Sequence, residues 1–475
     1  MAAEDELVVR VYNVGFGDCI YIGVPDVYED AGALQVERRH ILIDCGTIKK
    51  PSREQGYETQ GDVLRKALED VREMLPEVDG KRRLDLLVVT HPHRDHYDGF
   101  DPEYDYFESF FDSMAIDHVW LSALMDKDHP DRAKLHAVEQ LAYRGILALE
   151  QRDLRLGDRV REEVLWASET ELERIHGALR GLSAPREPLY VFRDIADPQK
   201  GHLEPEEVSA HRLAFDPTTR TTCFSAFNEA GTRLRILGPE WDIDKQYLHE
   251  GGDDIVGLLK SLDEPFGEHQ VDGRSVISPE EGAERAGVGD RPRFALNVSA
   301  TDYRNLRRRL YCSTLLFALD DSELKNNTSV VLLLEWRGKR LLFTGDVQHT
   351  GWEVMEAQDN QLPAADRQLT GPLAFLKVGH HGSHNATPFW PAGPPQPAIL
   401  DSLLPTERQN EAVTAVSVTP HGSYDNIPLE GLLGELGRRA HVRRTDIILE
   451  PPGLGLAYNV EHTDSYIEVT FTSPP

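Results

Sequence analysis

The sequence predicts an α/β layered fold. Strand-like apolar runs and amphipathic helical stretches alternate along the chain, the pattern of helices packed on sheets. The composition is that of a globular chain, 40% hydrophobic and 28% charged over 475 residues, and not that of a disordered one. No run of about 18 uncharged apolar residues occurs, so no membrane span is expected. The length allows one elaborated domain or two to three ordinary ones.

Two β-like runs around Gly15-Phe16-Gly17 open the chain within Leu7–Ile22. Arg38–Asp44 reads as a short strand, and Gly61–Leu75 as an amphipathic helix. Leu84–Thr90 is apolar and β-branched at strand length, a strand buried on both faces, and it runs into His91. Residues 101–230 are mixed, with helical spacing at Ala133–Leu149 and Ser168–Leu182 and a strand at Leu189–Arg193. Arg233–Gly238 is a strand stopped by Pro239. Residues 241–324 are the least core-like, with a Pro/Glu/Gly-rich piece and the basic run Arg304–Arg309. They read as an insertion or lid within a single domain spanning 1–475. Strands follow at Ser329–Trp336, Lys339–Thr344, Pro372–Val378 and Ala412–Thr419, then a helix at Leu429–Arg439 and a last strand at Asp464–Thr472.

Charge narrows the function classes. The chain has 81 acidic and 51 basic residues, a net charge of −30. Non-specific coating of DNA requires Lys and Arg to neutralise phosphates, so the acidic balance argues against that class. The N-terminus has neither a basic nor an apolar signal region, and four cysteines without a C-x-x-C pair make no disulfide framework. A cytoplasmic location is expected.

The strongest chemical feature is Thr90-His91-Pro92-His93-Arg94-Asp95-His96, three imidazoles and a carboxylate within six residues, directly after a buried strand. A strand end holds its exit loop rigidly, and imidazole with carboxylate suits zinc, manganese or iron. His91 and His93 lie two apart and face one way in an extended loop.

This H-x-H-x-D-H run after an apolar strand resembles the metallo-β-lactamase superfamily. The rest of the chain is similar to the hydrolase domain of the DNA-uptake protein ComEC. Val11-Tyr12-Asn13-Val14-Gly15-Phe16-Gly17-Asp18-Cys19-Ile20 resembles its opening D-V-G-Q-G-D-S strand, and Ile43-Asp44-Cys45-Gly46 its I-D-x-G. Asn327-Thr328-Ser329-Val330-Val331 and Leu342-Phe343-Thr344-Gly345-Asp346 resemble N-x-S-x-V and L-L-T-G-D. Leu376-Lys377-Val378-Gly379-His380-His381-Gly382-Ser383 resembles L-K-x-x-H-H-G-S. Val416-Ser417-Val418 and Arg444-Thr445-Asp446 match the closing elements, so the likeness runs in order from residue 7 to residue 446.

The resemblance implies a four-layer αβ/βα metallo-β-lactamase sandwich with insertions and two divalent metal ions, zinc first and manganese second. The first ion takes His91 and His93, the second Asp95 and His96, and Asp346 bridges them. His380 best matches the last histidine ligand, with His381 the alternative. Asp44 orients a ligating imidazole, or else caps the strand-end turn. Lys377 and Ser383 contact a phosphate oxygen, or else are a strand-edge lysine and a turn hydroxyl.

Two departures stand out. The first ion lacks an assigned third imidazole, with His118, His129, His136, His202, His211, His249 and His269 in the interval and none in a motif. The family's N-x-Y-G-H-P is replaced by Thr419-Pro420-His421-Gly422-Ser423-Tyr424-Asp425-Asn426-Ile427-Pro428, where His421 substitutes as a substrate contact.

The expected function is a phosphodiesterase or nuclease acting on nucleic acid or a cyclic nucleotide by attack of a metal-bound hydroxide. Catalysis rests on His93, Asp95 and Asp346. The acidic balance points to a small or single-stranded phosphodiester substrate, with no membrane partner. The alternatives are hydrolysis of a phosphocholine ester, lactone or thioester, and a metal-stabilised binding protein.

Overall fold

Among the described residues, the alternation in the sequence becomes two eight-stranded sheets, two smaller ones and the helices that flank them. The computed structural model describes residues 5–30, 32–51, 57–131, 169–183, 187–193, 213–216, 221–224, 227–247, 270–271, 274–275, 323–383, 385–388, 397–419, 427–450 and 456–472. The chain divides into two units. The larger comprises Met1–Pro130, Trp166–Tyr247 and Glu323–Pro475, and the smaller Asp131–Leu165 and Leu248–Ser322. In the smaller unit the described elements are the antiparallel pair Gln270–Val271 and Arg274–Ser275. The expected helix at 133–149, and the insertion apart from residues 241–247, 270–271, 274–275 and 323–324, lie outside the described residues.

Within the larger unit, the first sheet runs in the order Tyr458–His462, Tyr466–Phe471, Leu7–Tyr12, Cys19–Asp30, Ala33–Cys45, Leu86–Val89, Val119–Ser122, Leu189–Val191. Its first five strands are antiparallel neighbours, and from Ala33–Cys45 onward the pairing is parallel. The second sheet follows the same plan. Leu213–Asp216, Thr221–Phe224, Arg233–Gly238, Val331–Trp336 and Lys339–Phe343 pair antiparallel, and Lys339–Phe343, Phe375–Val378, Val413–Val416 and His441–Arg444 pair parallel. Parallel strands are covered on both faces, which is why Leu86–Val89, Phe375–Val378 and Val413–Val416 are buried throughout.

The two-residue period of a strand sorts these side chains into separate cores. Ile41, Ile43 and Val88 of the first sheet share one apolar cluster with Ile236, Leu332, Leu341 and Phe375 of the second. The alternate residues Leu42, Leu87 and Val89 instead pack on Val63, Leu64, Leu68 and Val71 of the helix Gln60–Met74. Leu333, Leu342, Leu376 and Val416 pack on Trp352, Met355, Leu400 and Leu432 from the helices of the second half. The molecule is therefore mixed α/β, and its layering is compatible with an α/β sandwich. Each fully buried Val or Leu in these clusters contributes about 1.5–3 kcal/mol.

The helix Gln60–Met74 begins at a capping box, in which Thr59 and Asp62 satisfy one another's backbone N–H groups. The strands Cys19–Asp30 and Ala33–Cys45 are longer than the sequence suggests, because they continue as a charged, largely exposed hairpin in which Val27 faces Val36. Pro25 is tolerated there because pairing with Leu7–Tyr12 ends at Gly23, leaving that strand edge open. Val119–Ser122 and His441–Arg444 were not legible as strands, and neither were the helices His349–Asp359 and Pro397–Leu403. Among the described residues, no helix is long and apolar enough to cross a membrane.

Candidate metal centre

Parallel strands point their carboxyl ends the same way, and open α/β sheets bind ligands beyond those ends. Here the exits of Ala33–Cys45 and Leu86–Val89 in one sheet, and of Lys339–Phe343, Phe375–Val378 and Val413–Val416 in the other, deliver Asp44, His91–His96, Asp346, His380–His381 and Ser417. The sheets meet at this edge, where Val330 N donates to Thr90 O at 2.9 Å and Ser122 Oγ donates to Thr328 O at 2.7 Å.

The backbone is unusual where these side chains turn inward. Asp44, His380 and His381 have positive φ values of 56°, 44° and 53°, a region costly to non-glycine residues and concentrated at functional sites. Gly345 (φ +51°) precedes Asp346, and a Cβ there would lie 2.8 Å from that of Ser329 and 3.0 Å from that of Thr90. Gly46 packs on the histidine loop so tightly that a Cβ would lie 2.4 Å from the carbonyl carbon of Asp95.

Asp95, His96, Asp346 and His381 converge, each offering one ligand atom within 4.8 Å of the others, and all four are buried. His96 Nε2 lies 3.2 Å from Asp346 Oδ2 and 3.9 Å from Asp95 Oδ2. His381 Nε2 lies 3.0 Å from Asp95 Oδ2 and 3.9 Å from Asp346 Oδ2.

The opposite ring nitrogens fix the tautomers. His381 Nδ1 is 2.9 Å from Ser417 O, a carbonyl that can only accept, so Nδ1 carries the proton. His96 Nδ1 donates to Asp44 Oδ2 at 2.8 Å. In their neutral forms both rings therefore turn an Nε2 lone pair toward two carboxylates.

Such an arrangement needs a cation between the groups or a proton on each ring. Without a metal ion, burial pulls both imidazoles down, but the facing carboxylates outweigh it and hold His96 well above the usual range and His381 above it. Burial likewise pushes Asp346 and Asp95 up, while His96 and His381 hold Asp346 well below its usual value and Asp95 below it. No hydrogen bond satisfies the buried Asp95 Oδ1. Two carboxylates, two tautomer-locked imidazoles and an orphaned buried carboxylate oxygen fit a divalent cation. This buried His/Asp group could hold a metal ion.

His91 and His93 sit beside it. His91 Nε2 is 3.0 Å from His93 Nδ1, and His91 Nδ1 is 3.1 Å from Thr90 Oγ1. Thr90 Oγ1 donates to Asp44 Oδ2 at 2.8 Å, and Thr90 N donates to Asp44 Oδ1 at 2.7 Å. Asp44 thus anchors His96 directly and His91 through Thr90. Burial holds His91 well below its usual value and His93 down to about 3, so both rings are neutral, as ligands must be.

No family model matches this chain, and no curated protein matches it.

Of the two adjacent histidines, His381 joins the converged group and His380 does not. His380 instead donates its backbone N–H to Asp346 Oδ1 at 2.7 Å. Its Nδ1 lies 2.8 Å from Ser383 Oγ and 3.1 Å from Gln348 Nε2. Ser383 is buried and also donates to Asn385 Oδ1 at 2.7 Å, so it braces His380. Lys377 is 1% exposed and bound to Asp18. Among the histidines considered for a third ligand, His118 is buried, and His129 Nε2 donates to Trp241 O at 2.9 Å. His136, His202, His211, His249, His269 and His421 lie outside the described residues.

Sequence reasoning assigned no role to Thr90, Ser417, Phe16 or Asp18. Phe16 packs its ring 4.1 Å from that of His381. Asp18 N donates to Asp95 O at 3.0 Å. Phe16 and Asp18 belong to the Gly-Phe-Gly-Asp turn, whose motif marked the place without indicating what its side chains do.

Proposed function

We propose that the chain is a metallo-β-lactamase-fold, metal-dependent hydrolase of phosphodiesters, acting on a short single strand or a nucleotide. The observation that carries this reading is the convergence of Asp95, His96, Asp346 and His381 at the carboxyl ends of parallel strands, with both outer imidazole nitrogens committed as donors. The order of the motifs from residue 7 to residue 446 supports the fold assignment, and two facing sheets with helix-packed outer clusters suit a four-layer αβ/βα sandwich.

Asp95, His96, Asp346 and His381 would hold one divalent ion, with His91 and His93 beside Asp346 for a second, zinc first and manganese second. Such ions supply Lewis-acid charge on the attacked phosphorus and acidify the attacking water. The protein's own contribution is orientation. Asp44 and Ser417 O fix the ring tautomers, the His380 N–H fixes the Asp346 carboxylate, and Phe16 shields one face of His381 from water. The net charge of −30 disfavours long duplex DNA and leaves small or single-stranded anions as the substrates.

A substrate panel in Zn²⁺ and Mn²⁺ tests the reading, with bis-p-nitrophenyl phosphate, single- and double-stranded DNA, RNA and cyclic nucleotides set against a lactone and a carboxylic ester. Cleavage of bis-p-nitrophenyl phosphate, the single strands or the cyclic nucleotides is expected, with long double-stranded DNA the poorest substrate. Turnover of the lactone or carboxylic ester alone would replace it with the carboxylic-ester alternative.

A further inference from the structure

The Lys377–Asp18 pair is buried at the edge of the centre and is not explained by substrate binding. Lys377 Nζ lies 2.8 Å from both carboxylate oxygens of Asp18 and 3.0 Å from Val378 O, and each side chain is 1% exposed. With three oxygens around it and no exposure to solvent, this ammonium cannot reach a ligand without breaking the pair. The partners are 359 residues apart, Lys377 in a strand of the second sheet and Asp18 next to a strand of the first. Lys377 lies in the strand Phe375–Val378 that delivers His381, and Asp18 immediately precedes the strand Cys19–Asp30.

Asp18 touches the centre in two ways. Its N–H donates to Asp95 O at 3.0 Å, and its own carbonyl accepts from Gly46 N at 3.0 Å, so it ties the Asp44 turn to the histidine loop. Its carboxylate also lies with Asp44 and His96 in a second buried group, with ligand atoms all within 4.8 Å. A second carboxylate so close to Asp44 strengthens Asp44 as an acceptor for His96 Nδ1–H. That in turn makes His96 a better electron donor at Nε2. The same proximity would be strongly repulsive in a low-dielectric setting without a counter-charge, and Lys377 is that counter-charge.

We infer that Lys377 and Asp18 are positioning residues for the metal ligands: the ammonium holds a carboxylate that orients and polarises His96 through Asp44 and fixes Asp95 through the backbone. The inference rests on the metal-centre reading above. It gives Lys377 a buried role distinct from contacting substrate phosphate.

The test is Co²⁺ binding by the full chain, followed by the visible d–d spectrum and by chelator competition, in wild type, Asp18→Asn, Lys377→Met and the double variant. Replacing both charges by neutral groups of similar shape removes the unpaired-charge penalty, so the double variant should regain wild-type thermal stability. Its Co²⁺ affinity should nevertheless stay roughly 10–100-fold below wild type, with a shifted d–d band. A folded double variant with wild-type affinity and an unchanged spectrum would overturn the inference, reducing the pair to a bridge between strands. Failure of the wild type to bind Co²⁺ at all would instead remove the metal-centre reading itself.

Discussion

His380 and His381 are adjacent and both left-handed, yet their surroundings give them different tasks. Ser417 O locks His381 with its bare nitrogen toward Asp95, while Ser383 and Gln348 hold His380 by Nδ1. Replacement of His381 by Ala is therefore expected to weaken divalent-metal binding by at least roughly 100-fold. His380→Ala should cost substantially less, because it leaves the backbone N–H on Asp346 in place. Equilibrium dialysis against Zn²⁺ compares the two, and equal losses would contradict the distinction. Asp44→Asn puts an amide where Thr90 N–H, Thr90 O–H and His96 Nδ1–H all donate. Its affinity should fall by roughly 10–100-fold with the ligands themselves untouched. The histidine loop and Asp346 were legible in the sequence because their order is a local pattern. Which of two neighbouring imidazoles turns inward was not, because Ser417, 36 residues away, decides it.

At the scale of elements, two features outside the ligand set can be tested separately. Asn327 lies before the strand Val331–Trp336, yet its Oδ1 accepts from Gln348 N at 3.2 Å and Gly351 N at 2.8 Å, capping the helix His349–Asp359 that follows Asp346. Loss of this cap in Asn327→Ala should cost about 1 kcal/mol in urea unfolding. That helix was missed in the sequence because its cap comes from a distant loop and no capping residue precedes it locally. The second feature is His40 in the strand Ala33–Cys45. Burial, helped by Arg38, Arg39 and Arg83, holds its pKa down to about 3, and Tyr21 O–H meets its Nδ1 at 2.8 Å. The unfolded chain takes up a proton near pH 6.5 that the folded chain refuses. Stability from this group is therefore complete above pH 6.5 and is lost as pH falls toward 3, at about 1.4 kcal/mol per pH unit. His40→Gln keeps an acceptor for Tyr21 and should remove about 2 kcal/mol of the destabilisation seen between pH 7 and pH 5. Identical pH dependence in the two proteins would refute the assignment.

Across the whole molecule, the alternation of strands and helices and the apolar parallel strands were readable because burial on both faces writes a continuous apolar run. The charged hairpin extension and Val119–Ser122 were not. The first is exposed, and the second is short and set in a mixed stretch whose partners, Leu86–Val89 and Leu189–Val191, lie far along the chain. The net charge of −30 adds a global expectation. An anionic substrate approaching this surface is repelled, so kcat/KM for a cyclic nucleotide should rise several-fold between roughly 10 and 150 mM salt as the repulsion is screened. A steep fall over the same range would indicate a local basic surface that dominates the encounter. The central claim is that the buried group holds a divalent cation, and metal analysis of extensively dialysed protein tests it most directly. At least one Zn²⁺ or Mn²⁺ should remain per wild-type chain and be lost from Asp346→Ala with the circular dichroism unchanged; a wild type that binds no ion, or a variant that keeps it, would contradict the account.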